Sequence, residues 1–175
     1  MLEDNFLGNL IRRGIPELIV LSAAVIFAVW LYGKISCRVY GGIDSRVVLL
    51  TSGTMLVGPF LIVNGIFKTF WGRARPRDID LFGGSKAFSL PLEISNQCAW
   101  DCSFMSGHTA VAFWLLAPAL LAPKKFRPFA VAAALLFGVT TAVFRIGQGA
   151  HFFSDVAFSA LVMSLLIVAV YRRLF

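Results

Sequence analysis

The sequence predicts an all-α protein, a polytopic transmembrane bundle of about five to six helices with an N-terminal helix in the membrane interface. Hydrophobic residues make up 58% of the 175 residues. Charged residues make up only 14%, against roughly 25% in an ordinary soluble domain. Five long runs contain no charged residue, and the chain has no internal repeat or low-complexity tract. We expect residues 1–175 to form a single integral membrane domain.

The five uncharged runs are the predicted membrane spans. A bilayer core requires about 20 helical residues. The second run is long enough alone, whereas each of the others must include polar neighbours at one end. The runs cover residues 18–33, 47–67, 109–123, 128–144 and 156–171.

The first 15 residues have a different pattern. Phe6, Leu7 and Leu10 recur at helical spacing among polar residues, which predicts a short amphipathic helix lying in the interface. Glu3 and Asp4 stand where a secretory signal peptide would carry positive charge. We therefore do not interpret this segment as a signal peptide.

The distribution of positive charge predicts the orientation. The net charge is +7, and cytoplasmic loops of membrane proteins are enriched in Lys and Arg. Given five spans, three basic regions lie on one side, which is then cytoplasmic, while residues 68–103 and the 145–151 link face outward. No nucleic-acid motif accompanies the charge, so we expect no nucleic-acid partner. The basic regions carry Lys34, Arg38, Arg46, Lys124, Lys125, Arg127, Arg172 and Arg173.

The outer loop is itself basic, and this needs a functional reason. Lys68 and Arg75 follow the second span, and Pro76 favours an extended backbone at Arg75. Arginine presents a planar fork of donors that matches phosphate, and lysine adds a point charge. The alternative is a belt of cations that extend from a helix end to the interface.

A second polar segment, Ser106-Gly107-His108, precedes the third span. Ser106 is a plausible N-cap, and Gly107 allows a ligand to approach the backbone. The free N–H groups of a helix N-terminus favour an anion, and His108 in the first turn could donate a proton. A capped helix with an interfacial histidine is the alternative interpretation.

The third segment joins the fourth and fifth spans. Arg145 ends one span, and His151 and Asp155 begin the next with a spacing of four, which puts them on one helix face. A carboxylate that accepts the proton of one imidazole nitrogen leaves the other free to attack. A purely structural His–Asp pair is the alternative.

The helix order brings all three segments to one membrane face. They would then combine phosphate-binding cations, an acid histidine and an oriented nucleophilic histidine. This combination suits phosphoryl transfer from a lipid at the membrane surface. A small transporter is the alternative from another class, but its ionisable residues would lie near the bilayer midplane. A scaffolding protein would have no use for these residues.

The three segments resemble the signature motifs of the type 2 phosphatidic acid phosphatase superfamily, K-x6-R-P, P-S-G-H and S-R-x5-H-x3-D. The resemblance covers residues 68–155, and the motifs occur in order with the family's spacing. Two positions depart from the pattern: Met105 replaces the usual proline and Phe144 the usual serine.

The resemblance implies a role for each matched residue. His151 would be the nucleophile that forms a phosphohistidine, Asp155 would orient it, and His108 would protonate the leaving oxygen. No cofactor or metal ion is expected, since cations of the protein would stabilise the phosphoryl charge. Arg73 lies outside the strict motif, and we expect it to bind the substrate headgroup, with simple exposure to solvent as the alternative. The implied phosphate-binding residues are Lys68, Arg75, Arg145, Ser106 and Gly107.

The resemblance also suggests a substrate. The contexts of residues 71–77, 82–84 and 102–108 are most similar to those of bacterial lipid A phosphatases, which remove the phosphate at position 1 or 4′. Undecaprenyl pyrophosphate and phosphatidylglycerol phosphate are the alternative substrates. We therefore expect a bacterial inner-membrane enzyme whose active site faces the periplasm. The sequence does not indicate an oligomeric state.

Two of the three cysteines lie in the outer loop. Cys98 and Cys102 are spaced C-x3-C, and thiols on this face would be exposed to oxidation. Our hypothesis is that they form a disulfide that tightens the approach to Ser106. The alternative is two free thiols, because geometry decides whether a bond can form.

Overall fold

A computed structural model describes residues 14–175, which form a bundle of five helices. The expected interfacial helix over residues 1–15 lies almost wholly outside the described residues. Within residues 14–175 there is no β-strand, only a single bridge between Ile79 and Lys86. The helices are α1 (Ile15–Ile35), α2 (Ser45–Phe70), α3 (Gly107–Leu120), α4 (Arg127–Gly147) and α5 (Phe153–Leu174).

Four of the helices (α1, α2, α4 and α5) are long and apolar enough to cross a membrane. Each falls where an uncharged run predicted a span, and their outward side chains are largely exposed apolar groups. The all-α bundle is therefore confirmed.

The third predicted span is shorter than expected. Helix α3 ends at Leu120 rather than at residue 123, and a turn at Leu115 divides it into Gly107–Trp114 and Leu116–Leu120. Pro118 has no N–H to donate to the carbonyl of Trp114, so the helical hydrogen bonding is interrupted there. At about 1.5 Å per residue, α3 is some 21 Å long, less than the hydrocarbon core of about 30 Å.

Helix α3 lies at the centre of the bundle and packs against all four longer helices. Most of its side chains are buried. Close approach of α4 depends on Gly138, because a Cβ atom there would lie 2.7 Å from the ring of Phe113. Small residues commonly allow such contact between membrane helices. The central helix thus holds the segment 106–108 in fixed relation to its neighbours.

Helix α2 departs from regular α-helical geometry. Leu49–Gly53 and Leu56–Phe67 have the wider turns of a π-helix, and Pro59 lies within the second stretch. Widened turns change which carbonyls are free to accept other donors. The indole N–H of Trp114 donates to the carbonyl of Thr51 at 2.9 Å, which joins α3 to α2 in the core.

Residues 71–106 form an irregular loop that folds back over one end of the bundle. Two short 3₁₀ turns, Pro76–Asp78 and Asp80–Phe82, are its only helical parts. Trp71 stacks on Phe104 with ring centroids 5.2 Å apart, and its indole N–H donates to Pro91 at 2.7 Å. Gly72 has φ +64°, and a Cβ there would overlap the carbonyl oxygen of Ser95. These contacts fix the first residues of the loop, directly after α2, against later parts of the loop.

The three basic regions used to predict the orientation lie at the end of the bundle opposite to this loop. They are the α1–α2 link, the α3–α4 link and the C-terminal end of α5. The loop covers the ends of α2 and α4 and the starts of α3 and α5. These are the four helix ends that carry the predicted site residues.

Candidate active site

Contacts across the covered end of the bundle bring the predicted segments together. The loop residue Ser103 contacts both His151 and Asp155, and the backbone N–H of Ser106 donates to the carbonyl of Asp155 at 3.4 Å. The charges of Arg75 and Arg145 act on Lys68, and those of Arg145 and Lys68 act on His151. The convergence inferred from helix order is present in the structure.

His151 is buried, with 1% of its surface exposed. Its Nδ1 lies 2.7 Å from the backbone carbonyl of Ser103. A carbonyl can only accept a hydrogen bond, so Nδ1 carries the proton and Nε2 carries the lone pair. Nε2 is buried and has no hydrogen-bond partner within residues 14–175.

The acceptor for Nδ1 differs from the expected one. We expected the Asp155 carboxylate to accept the imidazole proton, but its Oδ2 atom lies 3.8 Å from Nδ1, which is too far for a hydrogen bond. The backbone of the 71–106 loop therefore fixes the tautomer of His151. Asp155 acts on His151 through its charge and through Ser103, whose hydroxyl donates to Asp155 Oδ2.

The surroundings keep His151 neutral. Burial lowers its pKa below the ordinary 6.5, and the positive charges of Arg145 and Lys68 lower it further. The Asp155 carboxylate opposes this shift. Because the net pKa shift is downward, the imidazole holds a lone pair at neutral pH, as a nucleophile must.

Asp155 is fully buried and accepts three kinds of donor. Oδ2 accepts from the backbone N–H of Phe152 at 2.9 Å and from the hydroxyl of Ser103, while Oδ1 accepts from Arg73. The Phe152 bond also caps the start of α5. A buried carboxylate is tolerated only when such partners compensate its charge.

Arg73 lies behind the His–Asp pair and is only 2% exposed. Its guanidinium pairs with Asp155, donates to Ser154 Oγ at 2.9 Å and to the carbonyl of Ser89 at 3.0 Å, and lies 4.1 Å from the ring centroid of Phe152. The expectation that Arg73 binds a lipid headgroup is therefore wrong for this placement, because the side chain is enclosed by protein and its Nε and Nη1 donors are engaged.

Lys68 and Arg75 converge on one carboxylate, that of Asp101. Lys68 Nζ pairs with Oδ1 and Arg75 Nη2 with Oδ2. Arg75 also donates to the backbone carbonyl of Asp101 from Nη2 at 2.9 Å and from Nε at 3.2 Å. The extended backbone expected at Arg75 is confirmed, with φ −78° and ψ 154°.

Asp101 is ionised at neutral pH. Burial raises the pKa of its carboxyl, but the hydrogen bond and charge of Lys68, with the charge of Arg75, outweigh burial and hold the pKa below the ordinary 3.8. Two of the expected phosphate-binding cations, Lys68 and Arg75, are thus paired with an anion of the protein itself.

Ser106 caps α3 as predicted. Its hydroxyl oxygen accepts from the Thr109 backbone N–H at 3.4 Å and from the Thr109 hydroxyl at 2.9 Å. Gly107 packs against Asn64, to whose Oδ1 a Cβ would approach within 3.1 Å. A larger residue at 107 would require the Asn64 side chain to shift by a few tenths of an ångström.

His108 is half-buried in the first turn of α3. It lines an apolar cavity of about 240 Å³ between α1, α3 and α4, whose wall also includes Ile19 and Phe144. The aromatic ring at 144, where the family motif has serine, therefore lines the same cavity as the expected proton donor.

Arg145 and the disulfide complete the site. Arg145 is buried in the last turn of α4 and donates to Gln148 Oε1 at 2.7 Å.

Cys98 and Cys102 are bonded, with Cα atoms 5.6 Å apart, so the disulfide hypothesis is confirmed. The bond closes a small ring of chain that contains Asp101. Within residues 14–175, no group of three or more His, Cys, Asp and Glu side chains could hold a metal ion.

Sequence reasoning missed three contributors: Ser103, Asp101 and Gln148. Ser103 acts through its backbone carbonyl as well as its hydroxyl, and no residue type signals a backbone acceptor. Asp101 lies 33 residues after Lys68 and 26 after Arg75, so no local spacing in the sequence indicates that they pair. Gln148 lies three residues after Arg145, a helical spacing that also permits contact.

Cations suited to phosphate oxygens surround a neutral imidazole at the surface of an apolar helical bundle. Such a combination of groups is suited to binding a phosphoryl group at a membrane. The PAP2 superfamily model matches residues 46–175, and the chain belongs to this superfamily. It is accordingly a hydrolase of the membrane lipid phosphatase class.

Three curated relatives are bacterial enzymes named lipid A 4'-phosphatase. The chain is 33% identical to that of Francisella tularensis subsp. novicida over 98% of its own length and 77% of the relative's. It is 44% identical to the Rhizobium leguminosarum enzyme over 59% of the chain, and 38% identical to the Rhizobium etli enzyme over 64%. These matches span 45% and 44% of the two Rhizobium proteins. No solved structure matches the chain.

Proposed function

We propose that the protein removes the 4′ phosphate of lipid A at the periplasmic face of a bacterial inner membrane, through a phosphohistidine on His151. The observation that carries the mechanism is the buried Nε2 of His151, which has no hydrogen-bond partner among residues 14–175, while Nδ1–H donates to the backbone carbonyl of Ser103. The three relatives named lipid A 4'-phosphatase support the substrate and favour position 4′ over position 1.

The reaction has two steps. In the first, Nε2 attacks phosphorus and the bond from phosphorus to the sugar oxygen breaks, while His108 donates its proton to that oxygen. In the second, water attacks the phosphohistidine and His108 takes up its proton. The phosphorus–Nε2 bond then breaks, which releases phosphate and restores the imidazole. Each step needs a positioned proton carrier.

Positive groups stabilise the phosphoryl oxygens in both steps. Lys68, Arg75 and Arg145 carry the charge, and the backbone N–H groups at the start of α3, next to Ser106 and Gly107, add donors. Phosphoryl transfer is accelerated chiefly by positioning and by charge stabilisation, which these groups provide. Asp155 balances the imidazolium character that develops on His151 during attack.

The charge distribution supports the membrane orientation. The basic α1–α2 link, α3–α4 link and C-terminal end of α5 lie opposite the site and would face the cytoplasm. The site would then face the periplasm. A lipid substrate would keep its acyl chains in the leaflet while its phosphorylated headgroup reaches His151.

The test is phosphate release by the purified protein in detergent with EDTA. The panel contains bis-phosphorylated lipid A, undecaprenyl pyrophosphate and phosphatidylglycerol phosphate. We expect turnover of lipid A, and mass spectrometry of the product should place the lost phosphate at 4′. Loss of the phosphate at position 1, or turnover of another lipid alone, would contradict the substrate assignment.

The matched variants are His151→Ala and His108→Gln. With lipid A labelled with ³²P at the 4′ phosphate, we expect His151→Ala to acquire no label and to show no turnover. His108→Gln should form the labelled protein slowly and release it slowly, because it lacks the proton carrier of both steps. Thermal unfolding would show that each variant is folded. Wild-type turnover by His151→Ala would overturn the nucleophile assignment.

A further inference from the structure

Asp101 pairs with two of the cations to which the proposed function assigns the substrate phosphate. Its two carboxylate oxygens pair with Lys68 Nζ and Arg75 Nη2. These are two of the cations assigned to phosphate under the proposed function, on which this inference rests. A carboxylate presents two anionic oxygens to a guanidinium fork much as a phosphate does.

Substrate and Asp101 cannot share these cations without penalty. Lys68 Nζ and Arg75 Nη2 are already paired with the carboxylate of Asp101, and a phosphate placed beside that carboxylate would meet a like charge. The bonds from Arg75 Nε and Nη2 to the backbone carbonyl of Asp101 do not depend on the side chain and hold the guanidinium in place. Repulsion between like charges in such a site is costly. One anion must therefore leave when the other binds.

The carboxylate of Asp101 is able to leave. Its side chain is 53% exposed, whereas those of Lys68 and Arg75 are 15% and 12% exposed. Rotation of the side chain would return the carboxylate to water without moving the backbone. The Cys98–Cys102 bond keeps residue 101 in place, so the carboxylate stays close enough to return when phosphate departs.

We propose that Asp101 is an internal occupant of the phosphate site, displaced by the substrate phosphate and returning to help expel inorganic phosphate after hydrolysis. Asp101 is thus a residue that sets the affinity of the site for phosphate. The opposite role is that of a permanent counterion that holds Lys68 and Arg75 in place. In that case, removing the charge of Asp101 would weaken phosphate binding rather than strengthen it.

The test is a calorimetric titration of the whole protein in detergent with inorganic phosphate at fixed pH and salt. Asp101→Asn is the informative variant, because it removes the charge and keeps the shape. The φ of residue 101 is +49°, a region in which asparagine is well tolerated. The matched control is Asp78→Asn, which removes a loop carboxylate paired with Lys86 at 3.9 Å.

We expect Asp101→Asn to bind phosphate about tenfold more tightly, since two partly exposed ion pairs no longer compete. Asp78→Asn should match the wild type, and Lys68→Gln should bind more weakly. In turnover assays, Asp101→Asn should lower the KM and the inhibition constant of phosphate together, and it should lower kcat because the product leaves more slowly.

Equal or weaker phosphate binding by Asp101→Asn would overturn the proposal and favour the permanent counterion. Absence of phosphate binding in both proteins would overturn it as well. The titration uses no lipid, so it is independent of the substrate assay. If the variants bind phosphate as expected but the wild type does not hydrolyse lipid A, only the proposed substrate is refuted. Asp101→Ser, with its fold checked by thermal unfolding, provides a second variant and should also bind phosphate more tightly.

Discussion

Replacing Arg73 tests whether the buried ion pair behind His151 holds the site together. Arg73→Gln removes the positive partner of Asp155, and the two side chains are 2% and 0% exposed. It also removes the contacts of the guanidinium with Ser154, Ser89 and the ring of Phe152. The change leaves a buried carboxylate without its compensating charge.

The expected loss of stability is large. Removing one partner of a buried ion pair costs about 3–5 kcal/mol, mostly because the other charge remains buried and unpaired. For a chain of this length, each kcal/mol lowers the melting temperature by about 2–4 °C, so we expect a decrease of roughly 10 °C. Arg73→Lys keeps the charge but lacks the planar fork. Its melting temperature should lie between those of the wild type and Arg73→Gln.

The assay is thermal unfolding of the purified protein in detergent, and Lys86→Gln is the control. This substitution also leaves a carboxylate, that of Asp78, without its positive partner. The two charged groups are 3.9 Å apart, however, and both side chains are more than a third exposed. An exposed pair contributes less than about 1 kcal/mol, so Lys86→Gln should unfold close to the wild type. If Arg73→Gln unfolds no earlier than Lys86→Gln, the reasoning about the buried pair is refuted.

Two further predictions concern pH and the cysteines. Because burial and the charges of Arg145 and Lys68 hold the pKa of His151 below 6.5, activity should fall only as the pH drops through that lowered pKa. A profile of kcat/KM against pH should place the acidic limb below 6.5, and a limb above 6.5 would contradict the assignment. The same lowered pKa predicts that folding stability is reduced as the pH falls below 6.5, since the unfolded chain then binds the proton more readily. Alkylation should label one cysteine, the exposed Cys37, without reductant and three with reductant, as read by mass spectrometry. A membrane-impermeant maleimide should reach Cys37 from the cytoplasmic side only, and labelling from the periplasm would reverse the proposed orientation.

The helices and the convergence of the site were predictable because both depend on local pattern. An uncharged run of the right length specifies a membrane helix, and the order of such helices decides which ends meet. Lys68, Ser106, Arg145 and His151 therefore fell at one end of the bundle without knowledge of any contact. The interruption of α3 was also readable in principle, since Pro118 removes a helical hydrogen bond.

The partners of these residues depended on the 71–106 loop. Ser103 supplies the acceptor for His151, and Asp101 supplies the anion between Lys68 and Arg75. Both contacts join residues more than 25 positions apart. The loop has no periodic pattern, so its path is set by packing of Trp71 and Phe104 and by the disulfide. Sequence spacing carries no record of such packing.

The family, the helices and the chemical groups at one end of the bundle follow from hydrophobic runs and motif spacing, which are local properties of the chain. The partner of each group follows from the folded arrangement: Arg73 is enclosed behind Asp155, and Nε2 of His151 has no partner among the described residues. The physical reason is that burial and hydrogen-bond pairing are settled between distant segments when the loop closes over the bundle.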